Sequence, residues 1–153
     1  MATPYPDLNE AGTREGGLAV ARTPLEAAAA GTTRRVLIVD DNRDAAESLA
    51  MLVEVLGFEA HVCFDGRTAL VAVDDCHPDL ILLDLTMPGL SGFDVARQLR
   101  SRATPLSARI VALSGRADDE DRRLTDEAGF DGHLVKPVDV ATLQATLRAT
   151  PPS

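Results

Sequence analysis

Residues 80–90 read Leu-Ile-Leu-Leu-Asp-Leu-Thr-Met-Pro-Gly-Leu, an apolar run that stops at a carboxylate. Four consecutive apolar residues predict a strand buried on both faces, and Pro88-Gly89 predicts the turn beyond it. Asp84 therefore falls at the carboxyl edge of a sheet. The pattern recurs: residues 36–39 end in Asp40-Asp41, residues 110–113 in Ser114, and Leu134-Val135 in Lys136. Apolar runs that each end in a group able to ionise or hydrogen-bond describe the functional edge of a parallel sheet.

Working outward, the segments between these runs carry helical spacing. Ala46, Leu49, Leu52, Val53 and Leu56 lie on one helix face, which Gly57 is placed to stop. Residues 59–64 alternate as a half-exposed second strand. After the Asp65-Gly66 turn, Ala69, Leu70 and Val73 form the stripe of a second helix that His77-Pro78 breaks. A third helix spans residues 91–100, with Val95, Ala96 and Leu99 inward. A fourth, highly charged helix spans residues 118–128 and closes at Gly129, and a fifth covers residues 140–147. Five strand–helix units predict an α/β fold, a doubly wound parallel sheet with right-handed crossovers and helices on both faces. The domain spans residues 34–150, and residues 151–153 are a short end. Residues 1–33 carry Pro4, Pro6 and Pro24 and several glycines without apolar periodicity, the composition of a flexible tail.

The 153 residues suffice for one domain with a real core. An aromatic share of 3 % makes that core aliphatic. A net charge of −9 repels nucleic-acid backbones and anionic membrane surfaces, so neither is an expected partner. Cys63 and Cys76 sit in apolar contexts without a CxxC spacing, as reduced core thiols do. With no basic region followed by an apolar stretch at the amino end, the expected location is the cytoplasm.

The ordered set Asp40-Asp41, Asp84 with Met87-Pro88-Gly89, Ser114, and Lys136-Pro137 resembles the receiver domain of bacterial two-component response regulators, over about residues 34–149. The resemblance implies a (βα)5 flavodoxin-like sheet in strand order 2-1-3-4-5, which brings the ends of strands one, three, four and five to one crevice. If strands one and three are neighbours, about 4.8 Å apart, three carboxylates crowd together. Two unit charges about 4 Å apart at an effective dielectric of about 20 repel by roughly 4 kcal/mol, so the cluster needs a cation. All-oxygen ligands favour Mg²⁺.

By this resemblance Asp84 accepts a phosphoryl group. Asp40, Asp41, Asp84 and the backbone carbonyl of Thr86 hold Mg²⁺. Lys136 pairs with Asp84 and then with the phosphoryl group, Ser114 donates its hydroxyl to that group, and the Lys136-Pro137 bond is cis. Lys136 is the chain's one lysine against fourteen arginines, which suggests a site wanting a compact ammonium. His133 stands where receivers usually place Tyr or Phe, and an imidazole there can protonate near neutral pH. Thr86 and Arg116, two beyond Asp84 and Ser114, influence phosphoryl lifetime in the family. His61 and His77 read as structural.

Plainer readings stand beside these. Asp40-Asp41 would serve as helix caps, Asp84 and Ser114 as turn residues, Lys136 as a solvated side chain, and His133 as a half-buried ring. The expected function is a stand-alone phosphoacceptor switch and not an enzyme in the ordinary sense. It would be charged by a histidine kinase or phosphotransfer protein and act on a downstream protein in trans through the fourth helix, fifth strand and fifth helix, as a monomer or a phosphorylation-dependent dimer. The alternative is a receiver-fold interaction module that is not phosphorylated. A haloacid-dehalogenase-type phosphatase would need a second Asp where Thr86 stands, and a flavodoxin-type phosphate loop would need neutral residues where Asp40-Asp41 stand.

Overall fold

Each predicted strand–helix unit forms. In the computed structural model, which describes residues 34–104, 106–115 and 119–150 and the backbone of Thr3 and Pro4, these are β1 Arg35–Val39, α1 Arg43–Val55, β2 Glu59–Cys63, α2 Gly66–Cys76, β3 Leu80–Asp84, α3 Gly92–Arg100, β4 Arg109–Ser114, α4 Asp119–Ala128, β5 Gly132–Val135 and α5 Val140–Arg148. The five strands pair in parallel in the order β2-β1-β3-β4-β5. Alternation along the strands builds two cores. Leu37, Val39, Ile81, Leu83, Ile110 and Ala112 pack with α2 and α3 on one face, where Ala128 of α4 also lies. Val36, Ile38, Leu80, Leu82, Val111 and Leu113 pack with α1 and α5 on the other. Burial on both faces removes the polar alternation of an exposed strand, and each fully buried aliphatic side chain contributes about 1.5–3 kcal/mol.

Two features differ from the sequence reading. β2 is not half-exposed: Ala60, His61, Val62 and Cys63 are all buried. The ring of His61 fits because its Nε2 lies 2.6 Å from Oε2 of Glu59, which leaves the outer end of this polar pair to carry the exposure. In addition, Thr3–Pro4 forms a two-residue parallel strand outside β2, with Thr3 beside His61 and Pro4 beside Val62. A proline, lacking a backbone N–H, is tolerated at such an edge. The remainder of the expected tail and residues 151–153 lie outside the described residues.

Both cysteines are free and buried. Burial, with the charge of the other thiol and of Asp65, pushes the Cys63 thiol far up. Cys76 is pushed up to about 12, chiefly by burial. Both therefore stay protonated, and neither has the thiolate character of a reactive cysteine.

Candidate functional site: an acidic crevice at the strand ends

The register of the sheet assembles the crevice. Val39 lies beside Leu83, which sets Asp40 and Asp84, each one residue further on, at adjacent strand ends. On the other side Ser114 lies beside Val135, and the Lys136 N–H donates to the Ser114 carbonyl at 2.7 Å. Helix α1 begins just beyond Asp41, yet neither Asp40 nor Asp41 is its cap. Asn42 fills that position, its side-chain oxygen accepting from the Ala45 N–H at 3.1 Å. With capping taken over by Asn42, both acids are left for the crevice.

Oxygen atoms of Asp40, Asp41 and Asp84 lie within 4.8 Å of one another. Asp40 and Asp84 are buried, at 2 % and 4 % exposure, while Asp41 faces solvent. The buried pair has few compensating partners. Asp40 accepts from the Asn42 N–H at 2.9 Å and from Lys136 Nζ at 2.8 Å. Asp84 accepts from the Thr86 N–H at 3.2 Å and lies 3.5 Å from Lys136 Nζ. Lys136 thus reaches both acids and sits closer to Asp40 than to Asp84, the partner that the sequence reading named. Burial would lower the Lys136 pKa, but its hydrogen bond to Asp40 and the charges of Asp84 and Asp40 outweigh burial and raise it. One ammonium does not offset three carboxylates. Burial, followed by the charge of Asp40, pushes the Asp84 carboxyl up to about 6, against the lowering effect of the Thr86 N–H and Lys136.

Excess negative charge on a set of converging oxygens is what a hard divalent cation relieves, so these residues fit Mg²⁺. The same charge imbalance makes a prediction for the metal-free protein. Because the folded-state value of Asp84 lies above the ordinary 3.8, ionisation opposes folding. Asp84→Asn is therefore expected to stabilise the metal-free fold above pH 6, with a gain that shrinks as pH falls and vanishes below about pH 4, where both states of the wild type are protonated. Water at the crevice mouth screens the repulsion, so the gain is about 1–2 kcal/mol, read as a Tm rise of roughly 3–8 °C. A thermal melt series in chelator from pH 4 to 8 checks it; equal melting points at pH 7.5 would show that the acid cluster carries no strain.

Other predicted residues take graded positions around the acids. Ser114 is buried at the end of β4, and its hydroxyl donates to Oδ2 of Asp121, 3.4 Å away. His133 is half-buried on β5 beside Ala112. The Lys136-Pro137 bond is cis. Thr86 is exposed, its N–H and hydroxyl both turned to Asp84 Oδ1. Arg116 lies outside the described residues. His77 terminates α2 in the left-handed region, with φ 48°, a structural role.

Two contributors escaped the sequence reading. Gly92 opens α3 directly against the end of β3: its N–H donates to the Leu85 carbonyl, and an added Cβ would collide with the carbonyl of Asp84. Only glycine lets the helix approach that closely. The available signal was Ser91 before Gly92, a helix cap followed by the one residue without a side chain. Arg43 stacks on Phe64 at 4.1 Å beside the mouth, a contact between segments too distant in sequence to foresee.

Residues 36–148 match the family model for the response regulator receiver domain. The chain belongs to that family. Among curated relatives, the DNA-binding response regulator MtrA of Mycobacterium tuberculosis is 40 % identical over 116 residues, covering 76 % of this chain and 50 % of MtrA. The sensory transduction protein RegX3 of the same species is 40 % identical over 114 residues, 74 % of this chain and 49 % of that protein. This receiver thus spans about half the length of the curated relatives it matches. Among solved structures, chemotaxis protein CheY4 of Vibrio cholerae aligns with TM-score 0.72 and 28 % identity over 77 % of this chain and 98 % of that one. The receiver domain of sensor histidine kinase PA1611 from Pseudomonas aeruginosa, described with a magnesium ion coordinated in its active site cleft, aligns with TM-score 0.70 and 28 % identity over 77 % of this receiver and 97 % of that chain.

Proposed function

We propose that this receiver is a phosphorylation-controlled switch in which Asp84 accepts a phosphoryl group from a histidine kinase or a phosphotransfer protein. The observation that carries the reading is the convergence of Asp40, Asp41 and Asp84 within 4.8 Å beside the chain's only lysine. An oxygen of Asp84 attacks phosphorus, the donor's N–P bond breaks, and its electron pair returns to the donor imidazole. Hydrolysis later returns the carboxylate and releases inorganic phosphate. Asp40, Asp41, Asp84 and the Thr86 carbonyl would hold Mg²⁺, which supplies charge neutralisation for the transferring oxygens. In this reading Lys136 would follow the charge from carboxylate to phosphoryl group, Ser114 would donate to a phosphoryl oxygen, and His133 would shift with it.

The output surface is α4, β5 and α5, where Val135 and Val140 are exposed at 39 % and 48 %, and the partner is a protein. The net charge of −9 gives this segment no attraction for nucleic acid. Among the described residues no helix is long and apolar enough to cross a membrane, and a histidine-phosphorylated donor places the receiver in the cytoplasm. Incubation with acetyl phosphate and Mg²⁺ is expected to give a single phosphoryl adduct by intact mass that chelator prevents. No adduct from this donor or from a histidine-phosphorylated protein would instead favour the interaction module that is never phosphorylated.

A further inference from the structure

β2 is the outermost of the five strands on its side of the sheet, and it lacks the usual protection of an edge. From Phe58 to Phe64 the sequence holds no Lys, Arg, Pro or Gly, and Ala60, His61, Val62 and Cys63 are buried. The one acid, Glu59, is engaged on its own sheet, 2.6 Å from His61 Nε2 and 3.5 Å from Arg35 Nε. β5, at the opposite edge, starts at Gly132 and runs into Lys136-Pro137, a charge and a proline. An apolar edge strand without such residues is a template for pairing with another chain.

Backbone parity identifies the groups that face outwards. The Glu59 N–H donates to the Arg34 carbonyl and the Cys63 carbonyl accepts from the Asp40 N–H, so residues 59, 61 and 63 turn their backbone towards β1. Ala60 and Val62 turn theirs outwards. Thr3 stands opposite His61 in parallel register, which sets its N–H towards the Ala60 carbonyl and its carbonyl towards the Val62 N–H. Pro4 therefore turns its backbone away from the sheet, and its nitrogen carries no hydrogen for a further strand. Two residues on, the sequence again has proline, Pro6.

We propose that Thr3–Pro4 is a plug supplied by the chain itself, closing the β2 edge against strand addition by a second copy. An incidental two-residue contact would need neither a donor-free residue at the outward position nor an unprotected strand beneath it. The same chain is the occupant because the plug lies two strand spacings from β1, about 10 Å, and residues 5–34 span that easily at roughly 3.3 Å each. Tethering holds the segment at an effective concentration in the millimolar range, above that of free copies.

The test is amide hydrogen exchange of the full chain, of a chain lacking residues 1–8, and of Thr3→Pro, which removes the N–H facing Ala60 and leaves β2 untouched. The Val62 amide is protected in the full chain and exchanges at least about tenfold faster in both variants in dilute solution. The inward amides of Glu59 and Asp40 keep their protection, which shows that the variants are folded. At roughly hundredfold higher concentration the truncated chain sediments as a dimer and the unphosphorylated full chain as a monomer. Equal Val62 exchange in all three proteins would overturn the proposal. So would protection in the full chain that fades on dilution, which would make a second copy the occupant, or a truncated chain that stays monomeric with its Val62 amide open. None of these readouts depends on phosphorylation.

Discussion

Asp40→Asn is expected to lower Mg²⁺ affinity by about 100-fold or more, beyond the roughly 10–100-fold typical of residues that only orient ligands, and to abolish the phosphoryl adduct at millimolar metal. Asp40 is the most buried of the three acids and lies beside Asp84 at the strand ends. It is also the residue whose charge, after burial, does most to push Asp84 up. The substitution therefore has two opposed consequences. Asp84 ionises more readily, which taken alone favours nucleophilic attack, while one of the converging carboxylates is lost. If Asp40 is a metal ligand, the second effect dominates and the variant is inactive with a more ionised Asp84. Calorimetric titration with Mg²⁺ distinguishes the two; an affinity within threefold of wild type would remove Asp40 from the metal site.

Lys136→Met is expected to destabilise the metal-free fold and to prevent accumulation of the phosphoryl group. Its ammonium is the cation that reaches both buried acids, at 2.8 Å from Asp40 and 3.5 Å from Asp84. Removing one partner of a fully buried pair costs about 3–5 kcal/mol, and the 31 % exposure of Lys136 reduces the expected loss to about 1–3 kcal/mol. The sign with pH follows from the raised Lys136 pKa. The lysine contribution is complete below its unfolded value and fades only as pH rises through the still higher folded value. The deficit is therefore flat from pH 7 to 9, and it narrows below about pH 6 as Asp84 protonates. Lys136→Arg restores the charge and most of the stability. Its planar fork does not reproduce a compact ammonium against a phosphoryl group, so the adduct stays low. Melting curves across pH 5–9 and intact mass after phosphorylation follow both effects; a methionine variant as stable as wild type would show that the acids find another counter-charge.

The elements easiest to read were those where burial acts on a run of neighbouring residues. Residues 80–83 could only be a two-faced strand, and because parallel strands end in register, the group after each run was bound to meet the others at one edge. That made Asp40, Asp84, Ser114 and Lys136 legible together. Contacts between elements left weaker traces. The choice of Asn42 over Asp40-Asp41 as the cap of α1 depends on which residue turns extended at the helix start, and all three types can cap. The half-exposed reading of residues 59–64 failed around His61, which is buried with its Nε2 paired to Glu59 on the same strand. The strictness of Gly92 arises from the Asp84 carbonyl, which belongs to another element. The bond between Ser114 and Asp121 spans seven residues across a strand end and a helix start, a geometry that no periodicity encodes.

The central claim is that Asp84 itself carries the phosphoryl group. The direct measurement is to phosphorylate the protein in Mg²⁺, reduce the acyl phosphate with borohydride, and locate the product by peptide mass spectrometry. The account predicts homoserine at position 84 alone, absent in chelator and in Asp84→Asn. Homoserine at position 40 or 41, or a phosphoryl adduct that survives Asp84→Asn, would contradict it.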